Sequence, residues 1–374
     1  MKILFFTLDY HPGRVGGAER QAQLQAEELV HRGHDVQVVC PRSAGQRSSM
    51  IGGVNVVRLP RIFRKPLNRL SYMLVLLPWL LARGRRYDVW HVHLASTQAD
   101  LAVAVGLLLG KPTYVKIASG GETGEIQVFA HLSWLTRRVG LRRATRVQAL
   151  SEQIVDELRG IEVARERIIR VPNGVDLDHF KAADADRKRA LRAKLGLPQD
   201  RVIALYTGRF AEYKGIGELL EAWTRVPEAE GLLVLVGERT NEDQPLKLPA
   251  RGNGVVTRGW SPDVVEYLQA ADVFVYPAHQ DGMSNSLLEA MACGLAPVTT
   301  AIGSVSAFLE HRRNALLVPP RDPDALGRSL RELIRDGDLR ASVGAGAAQT
   351  ASSYAVSDVV SQIERTYQEI ARAC

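Results

Sequence analysis

Cysteine is scarce in this chain. Cys40, Cys293 and Cys374 are the only three in 374 residues, and none stands at a metal-ligand spacing from another. That argues against a disulfide framework and for a reducing compartment, with Cys40 and Cys293 as buried packing residues. Long apolar runs are missing too: none reaches the ~18 residues that a membrane-spanning helix needs. The opening MKILFFTLDYHPG has one lysine and a short apolar run before polar residues, which fits a buried strand better than a secretory leader. There is no GxxxxGK[ST] phosphate loop, no short-period repeat or low-complexity segment, and no histidine cluster to suggest a metal. Zinc-finger spacing, an aromatic RNA-binding signature and a basic helix are also missing, so nucleic acid is not expected as a partner.

What the chain does have is an uneven charge. Its net +7 hides 25 Lys+Arg against 14 Asp+Glu in residues 1–175, and 23 against 27 in the remainder. The longest apolar stretch, Leu70–Ala82 (LSYMLVLLPWLLA), follows Arg61, Arg64, Lys65 and Arg69 and precedes Arg83, Arg85 and Arg86. This pattern fits a helix lying on an anionic membrane surface, or attraction to an acidic acceptor. A merely solvated arginine-rich face is the alternative.

At this length one hydrophobic core usually gives way to two. Expected strands at Lys2–Leu8, Asp35–Cys40, Val54–Leu59, Val89–His93, Thr113–Ile117, Val147–Leu150 and Ile168–Val171 alternate with helical segments, the pattern of a parallel sheet covered on both faces. PNGVD at Pro172–Asp176 then marks a boundary, and a second series begins at Arg201–Tyr206 and continues through Leu232–Val236, Val255–Thr257, Val273–Tyr276 and Ala296–Thr299. The expectation is an α/β chain of two doubly wound, Rossmann-like domains, with ligands held in a cleft where loops at strand C-terminal ends collect.

Two segments carry candidate chemistry. In GRFAEYKG a strand ends at Gly208 and is followed by Arg209 and Lys214, a guanidinium fork and a compact ammonium suited to a diphosphate. In DGMSNSLLEAMACG, Asp281 and Gly282 lie in a loop, and Ser284, Asn285 or Ser286 caps a helix whose Leu287, Leu288, Met291 and Ala292 face a core. Amides at such a helix start can hold an anion. Glu289, one turn inside, gives a second carboxylate for another part of the same ligand.

Taken in order, GGAER at Gly16–Arg20, HVH at His91–His93, PNGVD at Pro172, GRFxxxKG at Gly208, LVGE at Leu235, DGMSNSLLEAMACG at Asp281 and NALLVPP at Asn314–Pro320 resemble the family 4 retaining glycosyltransferases over essentially the full length. The resemblance implies the GT-B fold. Residues 1–175 would form an acceptor-binding domain and 176–355 a nucleotide-sugar-binding domain, with 356–374 a helix packing back on the first. It further implies that Glu289 binds the donor ribose, that Arg209 and Lys214 bind its phosphates, and that the Gly16–Gly17 loop closes on them. The base would lie near Arg258, Gly259 and Trp260. Donor contacts are thus expected from Gly16, Gly17, Arg209, Lys214, Gly259, Trp260, Asp281, Gly282, Met283, Ser284, Asn285, Ser286 and Glu289, with Asp281, Arg209 and Lys214 as the candidate catalytic residues.

The chain departs from the family pattern twice. Asp281 stands where the family's Glu-x7-Glu has its first glutamate, withdrawing the carboxylate by about 1.5 Å. After Thr113–Ile117, where many members carry a histidine, this chain reads KIASGGETGE. Lys116, Ser119 and Glu122, with His93 at the end of a different strand, are the acceptor-side candidates. The expected activity is retaining transfer from a nucleotide-diphosphate sugar, UDP-linked before GDP-linked, to a hydroxyl of a sugar or lipid-linked acceptor in glycan or polysaccharide biosynthesis. No cofactor or metal is called for. Cytoplasmic residence with peripheral contact to the inner membrane face is expected. The alternatives are a sugar-nucleotide 2-epimerase and a non-catalytic nucleotide-sugar-binding partner.

Overall fold

The computed structural model describes residues 1–12, 16–43, 46–61, 68–121, 124–128, 140–238 and 254–373. The chain divides into two compact units, Met1–Gly174 together with Val356–Cys374, and Val175–Ala355.

In the first unit, β1 (Lys2–Phe6), β2 (Asp35–Pro41), β3 (Ser49–Ile51), β4 (Val54–Leu59), β5 (Val89–His93), β6 (Thr113–Lys116), β7 (Arg146–Ala149) and β8 (Ile168–Arg170) form one sheet. Their order is β3-β4-β2-β1-β5-β6-β7-β8. Pairing is parallel except for β3 against β4. The runs ILFF in β1 and VWHVH in β5 are buried throughout, as strands covered on both faces must be. The helices α1 (Gly17–His31), α2 (Asn68–Arg83) and α3 (Thr97–Leu109) belong to this unit. Gly110, at φ +65°, ends α3 in the left-handed conformation that glycine adopts without a Cβ penalty.

The terminal helix Val356–Arg372 joins this unit's core. Val359, Val360, Ile363, Tyr367 and Ile370 recur at helical spacing and cluster with Ile3, Phe5, Ala22, Ala26 and Leu29. Arg32 fixes the register through Glu28 at 2.7 Å and Glu364 at 3.2 Å.

The second unit's sheet contains β9 (Val202–Thr207), β10 (Gly231–Val236), β11 (Val255–Arg258), β12 (Val273–Tyr276), β13 (Ala296–Thr300) and β14 (Leu316–Val318). It is parallel, in the order β11-β10-β9-β12-β13-β14. The expected strands are present within a residue or two, whereas β3 and β14, three residues each, were not among them. Each sheet has a point where successive connections run to opposite sides, between β1 and β5 and between β9 and β12. Loops leaving the C-terminal ends of such neighbours part and leave a crevice.

Candidate active site

The switch point of the second sheet sets the loop after β9 beside the loop after β12. Glycine makes the approach possible. Gly215 has φ +71°, and a Cβ there would lie 2.0 Å from the Pro277 carbonyl oxygen. The Tyr213 carbonyl accepts from the His279 amide at 2.9 Å, stitching the loops together. At the neighbouring strand ends, a Cβ on Gly237 would be 1.9 Å from the Gly208 oxygen.

This approach brings Lys214 and Asp281 together. The Lys214 ammonium lies 2.8 Å from the Tyr276 hydroxyl and 2.9 Å from the Asp281 carboxylate. Tyr276 also donates to that carboxylate oxygen, and the other oxygen accepts from the Gly282 amide at 2.8 Å. Burial disfavours the Lys214 charge, but Asp281 beside it, together with Tyr206 and Tyr213, more than compensates and its pKa is raised. Burial likewise pushes Asp281 up, yet Lys214 and the Tyr276 and Gly282 hydrogen bonds hold it below the ordinary aspartate value. Burial, reinforced by Asp281, lifts Tyr276 well above a free phenol, so it stays a hydroxyl donor. The group is a charged pair bridged by a neutral phenol.

Arg209, by contrast, is exposed. The Tyr206 hydroxyl holds its carbonyl at 2.7 Å, and its guanidinium reaches the Tyr213 hydroxyl with its carbon 5.7 Å from that ring's centre. A cation steered over an aromatic face keeps its remaining donors for a ligand.

Beyond Asp281, Ser284 caps the helix Asn285–Ala292, its hydroxyl accepting from the Leu287 amide at 3.2 Å. Met283 and Ser284 are buried, Asn285 and Ser286 half-buried, and Leu287, Leu288, Ala290 and Met291 anchor the helix in the core. Glu289 is half-buried on the remaining face. Gly259 and Trp260 stand apart: they follow the edge strand β11, which β10 separates from β9, and Trp260 is 63% exposed.

The first unit places its candidates differently. Gly16 and Gly17 are exposed at the start of α1, with Gly16 as the cap position. His93 is buried, stacked on His91 with ring centres 3.9 Å apart, and neither ring nitrogen of His93 has a hydrogen-bond partner among the described residues. His91 pairs instead with the Tyr367 hydroxyl. Burial, aided for His93 by His91 and Lys116, pushes both histidines well below the ordinary imidazole range, so they are neutral.

Lys116 is also interior. Its ammonium donates to Asn173 at 2.7 Å, and burial lowers its pKa to about 7 against the opposing pull of Glu125. Ser119 is half-buried, and its amide joins those of Ala95 and Ala118 on the Glu125 carboxylate at 3.0, 2.6 and 2.7 Å. Burial raises Glu125 to about 7 despite those three bonds. Glu122 lies outside the described residues. Sequence reasoning missed Tyr276, Glu125 and Asn173. Asn173 was legible only as part of PNGVD, read as a boundary, and Glu125 closes the same segment in which Glu122 was singled out.

Two family models match the chain: "Glycosyl transferase 4-like domain" over residues 16–174 and "Glycosyl transferases group 1" over residues 201–336. It belongs to the family 4 glycosyltransferases. Among curated relatives, a candidate teichuronic acid biosynthesis glycosyltransferase of Bacillus subtilis, TuaC, is 28% identical over 88% of this chain and 88% of its own length. The D-inositol 3-phosphate glycosyltransferase of Xylanimonas cellulosilytica is 33% identical over 72% of this chain and 63% of its own length. Among solved structures, Anabaena HepE in complex with UDP-glucose superposes with a TM-score of 0.80 at 20% identity, over 99% of this chain and 100% of that one. WaaG, a glycosyltransferase involved in lipopolysaccharide biosynthesis, superposes with 0.76 at 19% identity, over 98% and 99%. At such identities the likeness speaks for the fold, and the fold of this family 4 glycosyltransferase is GT-B.

Proposed function

We propose that the protein transfers a sugar from a nucleotide-diphosphate sugar to an acceptor hydroxyl with retention of configuration. The observation that carries this reading is the convergence of Arg209, the Lys214–Tyr276–Asp281 group and the Ser284-capped helix start at one switch point. The guanidinium and the first-turn amides suit the diphosphate, and Glu289 suits the ribose hydroxyls. The exposed Gly259–Trp260 segment would take the base. A UDP-sugar is the favoured donor, since the HepE structure holds UDP-glucose.

In the transfer, the bond from the anomeric carbon to the diphosphate breaks as the acceptor oxygen bonds to that carbon on the same face. The acceptor proton passes to an oxygen of the departing diphosphate. Arg209, Lys214 and the helix-start amides stabilise the negative charge that grows there. Retaining hydrolases place a carboxylate nucleophile about 5 Å from its acid partner; here Asp281 is committed to Lys214 and Tyr276, which favours front-face attack over a covalent intermediate. The N-terminal unit would bind the acceptor, a sugar or lipid-linked sugar, for which its surplus of Lys and Arg is the support.

Incubating the protein with UDP-, GDP- and ADP-sugars, with and without a membrane extract, and following released nucleotide together with anomeric configuration by NMR, tests the reading. Acceptor-dependent release with a retained product is the expected result. An epimerised donor without an acceptor would mean a 2-epimerase, and nucleotide binding without turnover a non-catalytic protein. The curated relatives named above, like WaaG, are described as glycosyltransferases, so neither alternative is carried further.

A further inference from the structure

A surface helix usually turns one apolar stripe inward and a polar face to water. α2 does not follow that division. It buries Tyr72, Leu76, Trp79 and Leu80. On the outside it exposes Leu70, Leu74, Leu77 and Leu81, at 54, 53, 38 and 44%, a spacing that sets all four along one line of the helix. Leu107 and Leu108 near the end of α3 are 56 and 72% exposed. Their neighbour Leu109 approaches Gly84 so closely that a Cβ there would be 3.1 Å from its side chain, which sets this end of α3 beside the turn that follows α2. Of the nine large apolar side chains exposed among the described residues, six are therefore gathered on two adjoining helices. Single exposed leucines are ordinary, but a contiguous patch marks an interaction surface.

Its margin is cationic. Arg83, Arg85 and Arg86 are exposed at the C-terminal end of α2 and in the turn after it. From Arg61 to Arg86 the sequence has seven Lys and Arg and no Asp or Glu. We propose that this leucine stripe with its arginine margin docks on an anionic lipid surface, with α2 lying in the plane of the interface. The inference deepens the lipid-linked-acceptor reading and rests on it for what the contact serves.

Charge decides between occupants. A second copy of this chain meeting the stripe about a two-fold axis would bring two copies of one cationic patch into a single interface, and like charges there oppose association. An anionic leaflet attracts them while its acyl region takes the leucines. No helix among the described residues is long and apolar enough to cross a membrane, so α2 would rest on the surface.

Flotation of the full chain with vesicles of phosphatidylcholine alone, or mixed with phosphatidylglycerol, tests this without donor or acceptor. Binding to the mixed vesicles at low salt, weakened as salt is added, is expected. Arg83→Gln/Arg85→Gln/Arg86→Gln should lower partitioning about a hundredfold, and Leu74→Ser/Leu77→Ser about tenfold or more. The altered side chains are exposed, and circular dichroism confirms folding; should the leucine variant misfold, the arginine variant carries the test. Wild type remaining with the soluble fraction, or variants floating like wild type, overturns the proposal. So does a dimer in sedimentation equilibrium that Leu74→Ser/Leu77→Ser dissociates, since that assigns the stripe to a second copy. Transfer to a short water-soluble acceptor should be unchanged in both variants. Vesicle binding without any sugar transfer would leave the surface standing and remove the transferase reading instead.

Discussion

Lys214 and Asp281 are 67 positions apart in the chain and 2.9 Å apart in the fold. They form one unit with the Tyr276 hydroxyl, and the Lys214 charge is already balanced before any ligand arrives. Of the two cations in this loop among the described residues, Arg209 is therefore the one without a carboxylate partner. A shorter carboxylate at 281 is accommodated because a phenol from the neighbouring strand end and a lysine pressed in by Gly215 both reach it.

Removing one member of this pair strands the other. Asp281→Asn and Lys214→Ala should each lower stability by about 3 kcal/mol, as for a buried ion pair broken on one side, and each should reduce transfer strongly. The double variant should cost less than the two single losses summed, by about 1 kcal/mol or more. Denaturant melts and initial rates of all four proteins form the cycle, and strict additivity would count against the pairing. The pH sign follows from the directions. Asp281 is lowered from its ordinary 3.8, so its contribution is lost only as pH falls through that lowered value. Lys214 is raised from 10.5, so its contribution is lost only as pH rises through the raised one. Between these limits the pair should not titrate.

Arg209 should behave in the opposite way. Exposed and bonded chiefly to Tyr213, it can be replaced by alanine at a stability cost within about 0.5 kcal/mol. Turnover should nevertheless fall about a hundredfold, the usual loss when one donor to a developing oxyanion is removed. Arg209→Lys should recover little, because an ammonium does not reproduce the planar fork. Wild-type kinetics in Arg209→Ala would move the phosphate site elsewhere.

The motifs made most of this arrangement readable. Glycine and charge after β9, and a capped helix start after β12, gave Arg209, Lys214, Asp281 and Ser284 their neighbourhoods. Tyr276 escaped because it closes the apolar strand VFVY, where an aromatic is first of all a β-former and its hydroxyl has no sequence signature. For Lys116 the sequence named the residue but not its surroundings. Nothing in KIASGGETGE shows that β6 is flanked on both sides, by β5 and β7, or that Asn173, 57 positions on, meets the ammonium there. In α2 both faces are apolar, so periodicity could not say which one the core would take.

Gly215 gives a purely steric prediction. At φ +71°, with a Cβ position 2.0 Å from a backbone oxygen, alanine must both adopt a left-handed conformation and push two loops apart. Gly215→Ala should destabilise by about 3 kcal/mol or more and reduce transfer by displacing Lys214 from Asp281. Gly259→Ala, with nothing within 4 Å of the added carbon, is the control and should melt like wild type. Equal melting of both variants would show that the loops are not held in contact.

Lys116 and Glu125 shape the stability of the N-terminal unit around neutrality. Lys116 is lowered from 10.5 to about 7, so between those values the unfolded chain binds a proton that the folded chain has lost, and stability rises with pH. Glu125 is raised from 4.5 to about 7, so between 4.5 and 7 the folded chain keeps a proton that the unfolded chain has lost, and stability falls as pH rises. The two contributions meet in a minimum near pH 7. Lys116→Met should abolish the alkaline rise, so the difference in melting temperature between wild type and variant grows from pH 7 towards 10. Glu125→Gln should abolish the acid limb, while adding a constant loss because an amide NH₂ then faces a backbone donor that the carboxylate accepted. The slope of the difference with pH is thus the readout, and its absolute value is not. Melting curves that stay parallel to wild type at every pH would show that neither group changes its proton affinity on folding.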